Sequence, residues 1–268
     1  MVLAALLGVL VGVIMALTGA GGAIIAVPLL MAVFHWTVPE ATPVALLAVG
    51  SAAAVGALIG LRAGIVRYRA ALLMAGTGSL MAPLGLLLAH QLPTAPLALL
   101  FAAVLLYVAQ SLFRQAQCEL RGLPVPDAQP DPAACKLSSE TGRFEWDALC
   151  TRALLQAGVL AGFLSGLLGV GGGFVIVPAL RRSTDLAMHS VVATSLMVIA
   201  LVSTTSVVSS LIVGHLNIGI AIPFTVGAVL AMLAAKPFAH RLAGPRLQQA
   251  FALMSALVAV ALVVRTLA

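Results

Sequence analysis

The sequence predicts an all-α polytopic membrane protein made of two homologous halves, and three observations lead to this fold class. Hydrophobic residues make up 62% of the chain and charged residues only 8%. The mean hydropathy is +1.16, so too little charge is present to cover a soluble protein of this size. A glycine-rich segment occurs twice, and one long polar stretch separates the two occurrences.

The duplicated segment covers residues 17–30 and 167–180, which align without a gap at a spacing of 150 residues. Each copy carries closely spaced glycines followed by Val-Pro. Outside this segment the same register pairs Gly64 with Gly214. The chain is therefore interpreted as two copies of one unit.

The polar stretch divides the chain into a first membrane repeat at 1–114, a linker at 115–150 and a second membrane repeat at 151–268. The linker holds several prolines and six of the eight acidic residues. This composition predicts an extended connection in the cytoplasm rather than a folded domain.

Three full transmembrane helices are expected in each half, because six apolar stretches approach the ~20 residues needed to cross the hydrocarbon. These stretches are 43–60, 70–89, 97–113, 190–213, 218–235 and 248–264. The remaining apolar segments, 1–34 and 151–180, are each broken by glycines. Their arms are too short to cross comfortably alone, so each is predicted to form a helical hairpin, with a single broken span as the alternative.

The basic residues favour inverted repeats. Arg62, Arg67 and Arg69 follow the first full span of copy one, whereas the equivalent loop of copy two, 214–217, has no Lys or Arg. Inverted halves place 13 of the 14 basic residues on the cytoplasmic side and leave Arg265 outside. The alternative has eight crossings and parallel repeats, with a 9 to 5 split of the basic residues.

The glycine runs predict a binding site for a small anion. A half-helix begins after each run, and its free N–H groups and positive dipole end point toward the break. Glycine also lets a ligand approach the backbone closely. The alternative is that the glycines serve helix packing alone. The candidate substrate-binding residues are Gly19, Gly21, Gly22, Gly169, Gly171, Gly172, Gly173, Thr194 and Ser195.

Other residues carry structural expectations. Gly8 and Gly158, on the arms before each break, are expected to tolerate alanine. Glu40 precedes a full span, where N-capping is its expected role. Cys118, Cys135 and Cys150 are odd in number and lack C-x-x-C spacing, so they are expected to be free, reduced thiols.

No catalytic constellation, metal-ligand pattern or cofactor motif is present, and the basic residues are scattered over the loops rather than clustered for nucleic acid. The sequence therefore predicts neither an enzyme nor a metal, cofactor or nucleic-acid partner. The oligomeric state is open, and a homodimer is compatible with the sequence.

The paired glycine elements, each followed by Val-Pro, and the Ala-Thr-Ser-Leu stretch at 193–196 resemble the TauE/SafE sulfite exporter family of membrane permeases. The resemblance covers both halves and excludes the linker. It implies transport of sulfur-containing anions such as sulfite or organosulfonates. Copy one departs from the family pattern at Ala23 and at Val44-Ala45, so binding is expected to depend more on copy two.

We therefore expect a multi-pass secondary transporter in the cell inner membrane. Its expected partners are the lipid bilayer and a small sulfur anion, namely sulfite, thiosulfate or an organosulfonate. Export is expected, by alternating access around a site at the two half-helix N-termini. The alternatives are an anion channel and a membrane scaffold or assembly factor that transports nothing.

Overall fold

The computed structural model describes the backbone of residues 1–18, 21–121, 135, 147–184, 186–213, 217–242 and 245–267. Ten α-helices lie within these ranges, five in each predicted half. They are α1 (Val2–Thr18), α2 (Gly21–Phe34), α3 (Val38–Arg62), α4 (Tyr68–Gln91), α5 (Thr94–Leu120), α6 (Ala148–Leu168), α7 (Gly173–Ser183), α8 (Met188–Val213), α9 (Ile218–Leu242) and α10 (Pro245–Leu267).

The chain is a multi-pass membrane protein by helix length and composition. Six described helices, α3 to α6, α8 and α9, contain apolar runs long enough to cross a bilayer. Exposed leucines such as Leu72, Leu80 and Leu84 line the outside of α4, where a soluble protein would carry polar residues. The first arm of the second hairpin differs from expectation, because α6 has 21 residues and is itself long enough to span.

The chain turns back on itself at both glycine runs. A Cβ placed on Gly172 would lie 2.6 Å from the Ala161 carbonyl oxygen, and one on Gly22 would lie 2.6 Å from that of Val11. In one continuing helical span, residues 11 apart would be separated by roughly 16 Å. Helical hairpins therefore form at both runs, rather than continuous broken spans.

Helices α3 and α8 form the buried centre of the bundle and run antiparallel. A Cβ on Gly50 would lie 2.7 Å from Ser203 Cβ, whereas one on Gly60, at the other end of α3, would lie 3.0 Å from Ala193 Cβ. The order of contacts along α8 thus reverses the order along α3. Small residues at these positions let the two backbones approach closely.

The first arm of each hairpin runs parallel to a full span from the other half. On α6, Gly162 and Gly166 meet the carbonyl oxygens of Gly78 and Ala82 on α4. These close approaches advance together along both chains, which defines the parallel direction.

Helices α1 and α9 repeat this arrangement, since Gly8 meets the Phe224 carbonyl and Gly12 that of Ala228. The expected tolerance of Gly8 and Gly158 for alanine is wrong on this geometry. A Cβ on Gly8 would overlap the Phe224 carbonyl, and one on Gly158 would lie 2.6 Å from the Met74 carbonyl oxygen. The reason is that both glycines face a neighbouring helix rather than lipid.

The helix contacts are related by exchange of the two halves. Helix α1 packs on α9, and their equivalents α6 and α4 pack on each other in the same way. Helix α3 also packs on α9, and their equivalents α8 and α4 form the matching pair. The equivalent helices α3 and α8 pack on each other, as do α5 and α10. This reciprocal pattern is expected for a duplicated unit whose two copies interlock.

The expectation of three free thiols is wrong. Cys135 and Cys150 form a disulfide, whereas Cys118 is free and lies within α5. The Cys135 N–H also donates to the Ser183 carbonyl oxygen at 2.7 Å. Residue 135 is therefore joined to the start of α6 and to the end of α7, a proximity that the spacing of cysteines in the sequence does not encode.

The predicted N-terminal cap of α3 is confirmed. The Thr37 N–H donates to Glu40 Oε2 at 2.8 Å, which satisfies a donor that the helix leaves free. The predicted linker conformation concerns mainly residues 122–134 and 136–146, which lie outside the described residues. Helical residues enter the linker range at both ends, since α5 continues to Leu120 and α6 begins at Ala148.

Candidate functional site

The break in the second copy is built from glycines in the left-handed backbone conformation. Gly169, Gly171 and Gly172 have φ angles of 71°, 66° and 66°. Side chains with a Cβ rarely adopt these angles, so glycine allows the sharp reversal between α6 and α7. The Gly169 N–H donates to the Ser165 carbonyl oxygen at 2.9 Å and ends α6.

The three glycines have different surroundings. Gly169 faces the Thr42 side chain, and Gly172 faces the Ala161 carbonyl, so both are tightly packed. A Cβ on Gly171 would instead lie 3.3 Å from Ile199 Cγ2 and 3.4 Å from Ser203 Oγ, which are close contacts with side chains rather than with backbone. The missing side chain of Gly171 thus leaves a space of about one methyl group beside α8.

This space lies close to the middle of the bundle. Its walls include Val49 on α3 and Ile199 on α8, which are equivalent residues of the two copies. Both lie near the midpoint of helices of 25 and 26 residues. The second glycine break is therefore held at the crossing of the two central antiparallel helices.

The N-terminus of α7 adds backbone donors at this place. Gly172 is its N-cap residue, without a side-chain hydrogen bond to the helix end. The N–H groups of Val175 and Ile176 bond back to the Gly172 carbonyl oxygen at 3.0 and 3.2 Å. The N–H groups of the two residues before them, Gly173 and Phe174, have no intrahelical acceptor and carry the positive end of the helix dipole.

Two buried hydroxyls flank the break without a hydrogen-bond partner. Ser165, in the last turn of α6, and Ser203, in the middle of α8, are both 0% exposed, and neither Oγ has a partner. Other hydroxyls of α8 bond to backbone carbonyls of their own helix, as Thr204 does to Ala200 and Ser206 to Val202. Ser203 therefore differs from these neighbours on α8, and Ser165 on α6 likewise has no partner.

The predicted site residues Thr194 and Ser195 lie elsewhere on α8. Thr194 is nine residues before Ser203, so it lies about 13.5 Å along the axis and on the opposite face of the helix. Its Oγ1 accepts a hydrogen bond from the Arg67 N–H at 3.1 Å. Ser195 Oγ donates to the Val192 carbonyl oxygen at 2.8 Å. The structure thus does not bring the Thr194 side chain together with Gly171.

The first copy is described in less detail. Gly19 lies outside the described residues, Gly21 begins α2, and Gly22 packs against Met15 of α1. Helices α2 and α7 contact each other, so the second arms of the two hairpins meet in the bundle.

Sequence reasoning missed Ser165 and Ser203 as site residues, although a signal was present. Their equivalents in copy one are Met15 and Ala53, so hydroxyls occur on only one side of the duplication. Ser203 is one of many hydroxyl residues in 190–213. Only the contacts of each side chain separate it from those that bond to their own helix.

Charged groups are absent from this part of the chain. No Asp, Glu, Lys or Arg occurs in 41–61, 153–180 or 186–235, the segments that surround the break. Among the described residues, no group of three His, Cys, Asp or Glu side chains is placed to hold a metal ion. A ligand here would meet backbone N–H groups, hydroxyls and apolar walls.

The sequence profile described as Sulfite exporter TauE/SafE matches residues 4–262, which is nearly the whole chain. The chain belongs to the TauE/SafE sulfite exporter family. This confirms the resemblance carried by the paired glycine elements. The family assignment therefore indicates a membrane transporter, and the glycine break lies within it.

Two curated relatives agree with this assignment. Both come from Xylella fastidiosa strains and are described as "probable membrane transporter protein". One is 29% identical over 193 residues and the other 30% identical over 199 residues, covering 72% of this chain and 67% of each relative. No solved structure matches the chain.

Proposed function

We propose that this protein is a secondary transporter that exports a small sulfur-containing anion, such as sulfite or an organosulfonate, across the cell inner membrane. The family supplies the class of solute. The observation that supports the proposal is the second glycine break, where Gly171 lies against α3 and α8 shortly before the free N–H groups that begin α7. A helix N-terminus at the midplane is a common binding place for anionic groups in transporters.

Inverted repeats are the topology that best fits the helix directions. Equivalent helices would run parallel if the two halves were related by an axis along the membrane normal. The equivalent helices α3 and α8 run antiparallel, as the contacts of Gly50 and Gly60 indicate. A twofold axis in the membrane plane makes equivalent helices antiparallel. A hairpin that returns to the same side and three further crossings also invert the second half relative to the first.

The charges support a cytoplasmic linker. With inverted halves, 13 of the 14 basic residues face the same side as the linker, which the positive-inside tendency identifies as the cytoplasm. The Cys135–Cys150 disulfide weighs the other way, because disulfides are rare in reducing compartments. We place the linker on the cytoplasmic side because thirteen basic residues favour it, and only this one bond favours the opposite side.

Alternating access fits the closed packing around the break. The space beside Gly171 holds about one methyl-sized group, so a whole oxyanion enters only when a hairpin and the central helices move apart. A channel would need a continuous opening at this level. The inside-negative potential then favours outward movement of an anion by about 2.3 kcal/mol per charge per 100 mV.

The test is a binding and flux screen on purified protein. Sulfite, sulfoacetate, thiosulfate, sulfate and taurine are added separately, and thermal unfolding is followed in detergent; a bound ligand raises the unfolding temperature by mass action. Hits are then tested for flux in liposomes. We expect stabilisation and saturable flux with at least one sulfur oxyanion, whereas neither stabilisation nor flux with all five would refute the proposal.

A further inference from the structure

The site at the second glycine break offers only neutral hydrogen-bond donors. The segments that form its walls, 41–61 and 153–180 together with α8, contain no Lys or Arg. The backbone N–H groups at the start of α7 and the hydroxyls of Ser165 and Ser203 are the donors in this region. An anion bound here keeps its full charge in an apolar setting.

The cost of moving an ion from water into such a setting rises with the square of its charge. A doubly charged oxyanion therefore meets about four times the desolvation cost of a singly charged one. Neutral donors recover much less of that cost than a buried arginine or lysine would. The site thus favours one negative charge.

The hydroxyls of the two serines are free to donate to a ligand. Each is 0% exposed and has no partner for its Oγ, which is costly unless another group supplies the hydrogen bond. Ser203 Oγ lies 3.4 Å from the Cβ position of Gly171, so it borders the space that this glycine leaves open.

We infer that this site binds singly charged sulfur oxyanions, hydrogen sulfite or a sulfonate, in preference to divalent sulfate or thiosulfate, with Ser203 as a side-chain donor and Ser165 as the second. The inference rests on the proposed function and narrows its substrate class. It also assigns binding chiefly to copy two, because Met15 and Ala53 supply no donor at the equivalent positions.

The charge preference is tested with three anions of different titration behaviour. Methanesulfonate carries one charge and sulfate two at every working pH, whereas sulfite is singly charged in acid and doubly charged in alkali. Flux into liposomes that contain the purified full-length protein is measured for each anion at several values between about pH 6 and about pH 8.5, a range around neutral pH. A background measurement uses protein-free liposomes.

We expect methanesulfonate to be transported with little dependence on pH and sulfate to be transported at least about 100-fold less efficiently, a factor set by the charge-dependent desolvation cost. For sulfite, the KM expressed as total sulfite should rise with pH as the singly charged form disappears. Equal efficiencies for sulfate and methanesulfonate would overturn the charge preference. Absence of flux for all three anions, together with no response in the five-compound screen, would instead refute the proposed function itself.

The donor role is tested with Ser203→Ala and Ser165→Ala, using Ser206→Ala as the matched control. Ser206 is also buried on α8, but its Oγ donates to the Val202 carbonyl oxygen. We expect the first two variants to raise the KM for methanesulfonate by about two- to tenfold, the value of one neutral hydrogen bond, and the control to leave it unchanged.

Folding is checked separately by the unfolding temperature without ligand. Removing an unpartnered hydroxyl should leave this temperature unchanged or raise it, since no protein hydrogen bond is lost. If Ser203→Ala and Ser165→Ala match Ser206→Ala in KM, the serines are not ligand donors and the inference is wrong. Ser203→Thr keeps the hydroxyl and should retain most of the affinity.

Discussion

The contact between α4 and α6 gives a sharp test of the packing. Gly158, Gly162 and Gly166 lie four residues apart and thus on one face of α6. A Cβ on Gly162 would overlap both the carbonyl group and the Cα of Gly78. These are backbone atoms, so the clash is relieved only if the two helices move apart.

Gly162→Ala is therefore expected to destabilise the protein by about 1–3 kcal/mol, the usual cost of overpacking a well-packed contact. Gly76→Ala is the matched control on α4. Gly76 is exposed, its backbone is helical, and a Cβ there would meet no atom within 4 Å. Replacing this glycine should be neutral or stabilising by up to about 1 kcal/mol, because alanine favours the helix.

The unfolding temperatures of both variants and the wild type are measured on purified protein in one detergent. Where unfolding in mixed micelles is reversible, the free energy of unfolding is measured as well. The expected order of unfolding temperatures is Gly76→Ala at or above the wild type, and Gly162→Ala clearly below it. Equal stabilities for the two variants would refute the close parallel packing of α4 on α6.

Three further predictions address the disulfide, Thr194 and the topology. Cys150→Ser in oxidising buffer should lower the free energy of unfolding by up to about 3 kcal/mol, since the bond closes a loop of 15 residues. Flux should change by less than about twofold, because the bond lies outside the proposed site. If the wild type unfolds identically with and without reductant, the disulfide is contradicted. Thr194→Val should cost about 1 kcal/mol of stability, because the Arg67 N–H loses its acceptor, with anion affinity unchanged; a selective loss of affinity would return Thr194 to the binding site. Cysteines introduced at Gly64 and His215 should react with an impermeant maleimide from opposite sides of the membrane, and reaction from one side would restore parallel repeats.

Much of the fold could be predicted from the sequence because membrane helices depend on length and hydropathy, which are local properties. The duplication gave the equivalent helices, and the short arms around the glycine runs indicated hairpins. The G-x-x-x-G spacing at 158–166 was a legible packing signal as well. The spacing alone does not show which neighbouring helix this face contacts.

The candidate site was harder to predict, since it depends on which face of a helix each side chain occupies. Thr194 and Ser203 are both hydroxyls on α8, but the nine residues between them place their side chains on opposite faces. Gly171 and Gly172 are neighbours, yet a Cβ on the first would meet side chains of α3 and α8, whereas one on the second would meet a backbone carbonyl. Such differences arise from tertiary contacts that no local pattern records.

The disulfide illustrates a second limit. Cys135 reaches Cys150 because the chain at residue 135 lies against the end of α7, where its N–H bonds to Ser183. Cysteine number and spacing carry information on bonding only within known frameworks, and this chain fits none of them. The contact is a property of the folded second half.

The central claim, that this chain is an alternating-access carrier for a small sulfur anion, is tested most directly by counterflow. Liposomes containing the purified protein are loaded with unlabelled sulfite at high concentration and diluted into a trace of labelled sulfite with the membrane potential clamped to zero. We expect labelled sulfite to accumulate transiently inside above its equilibrium level, because a carrier exchanges internal for external substrate. Equilibration without an overshoot would indicate a channel, and no protein-dependent uptake would contradict the transport of sulfite.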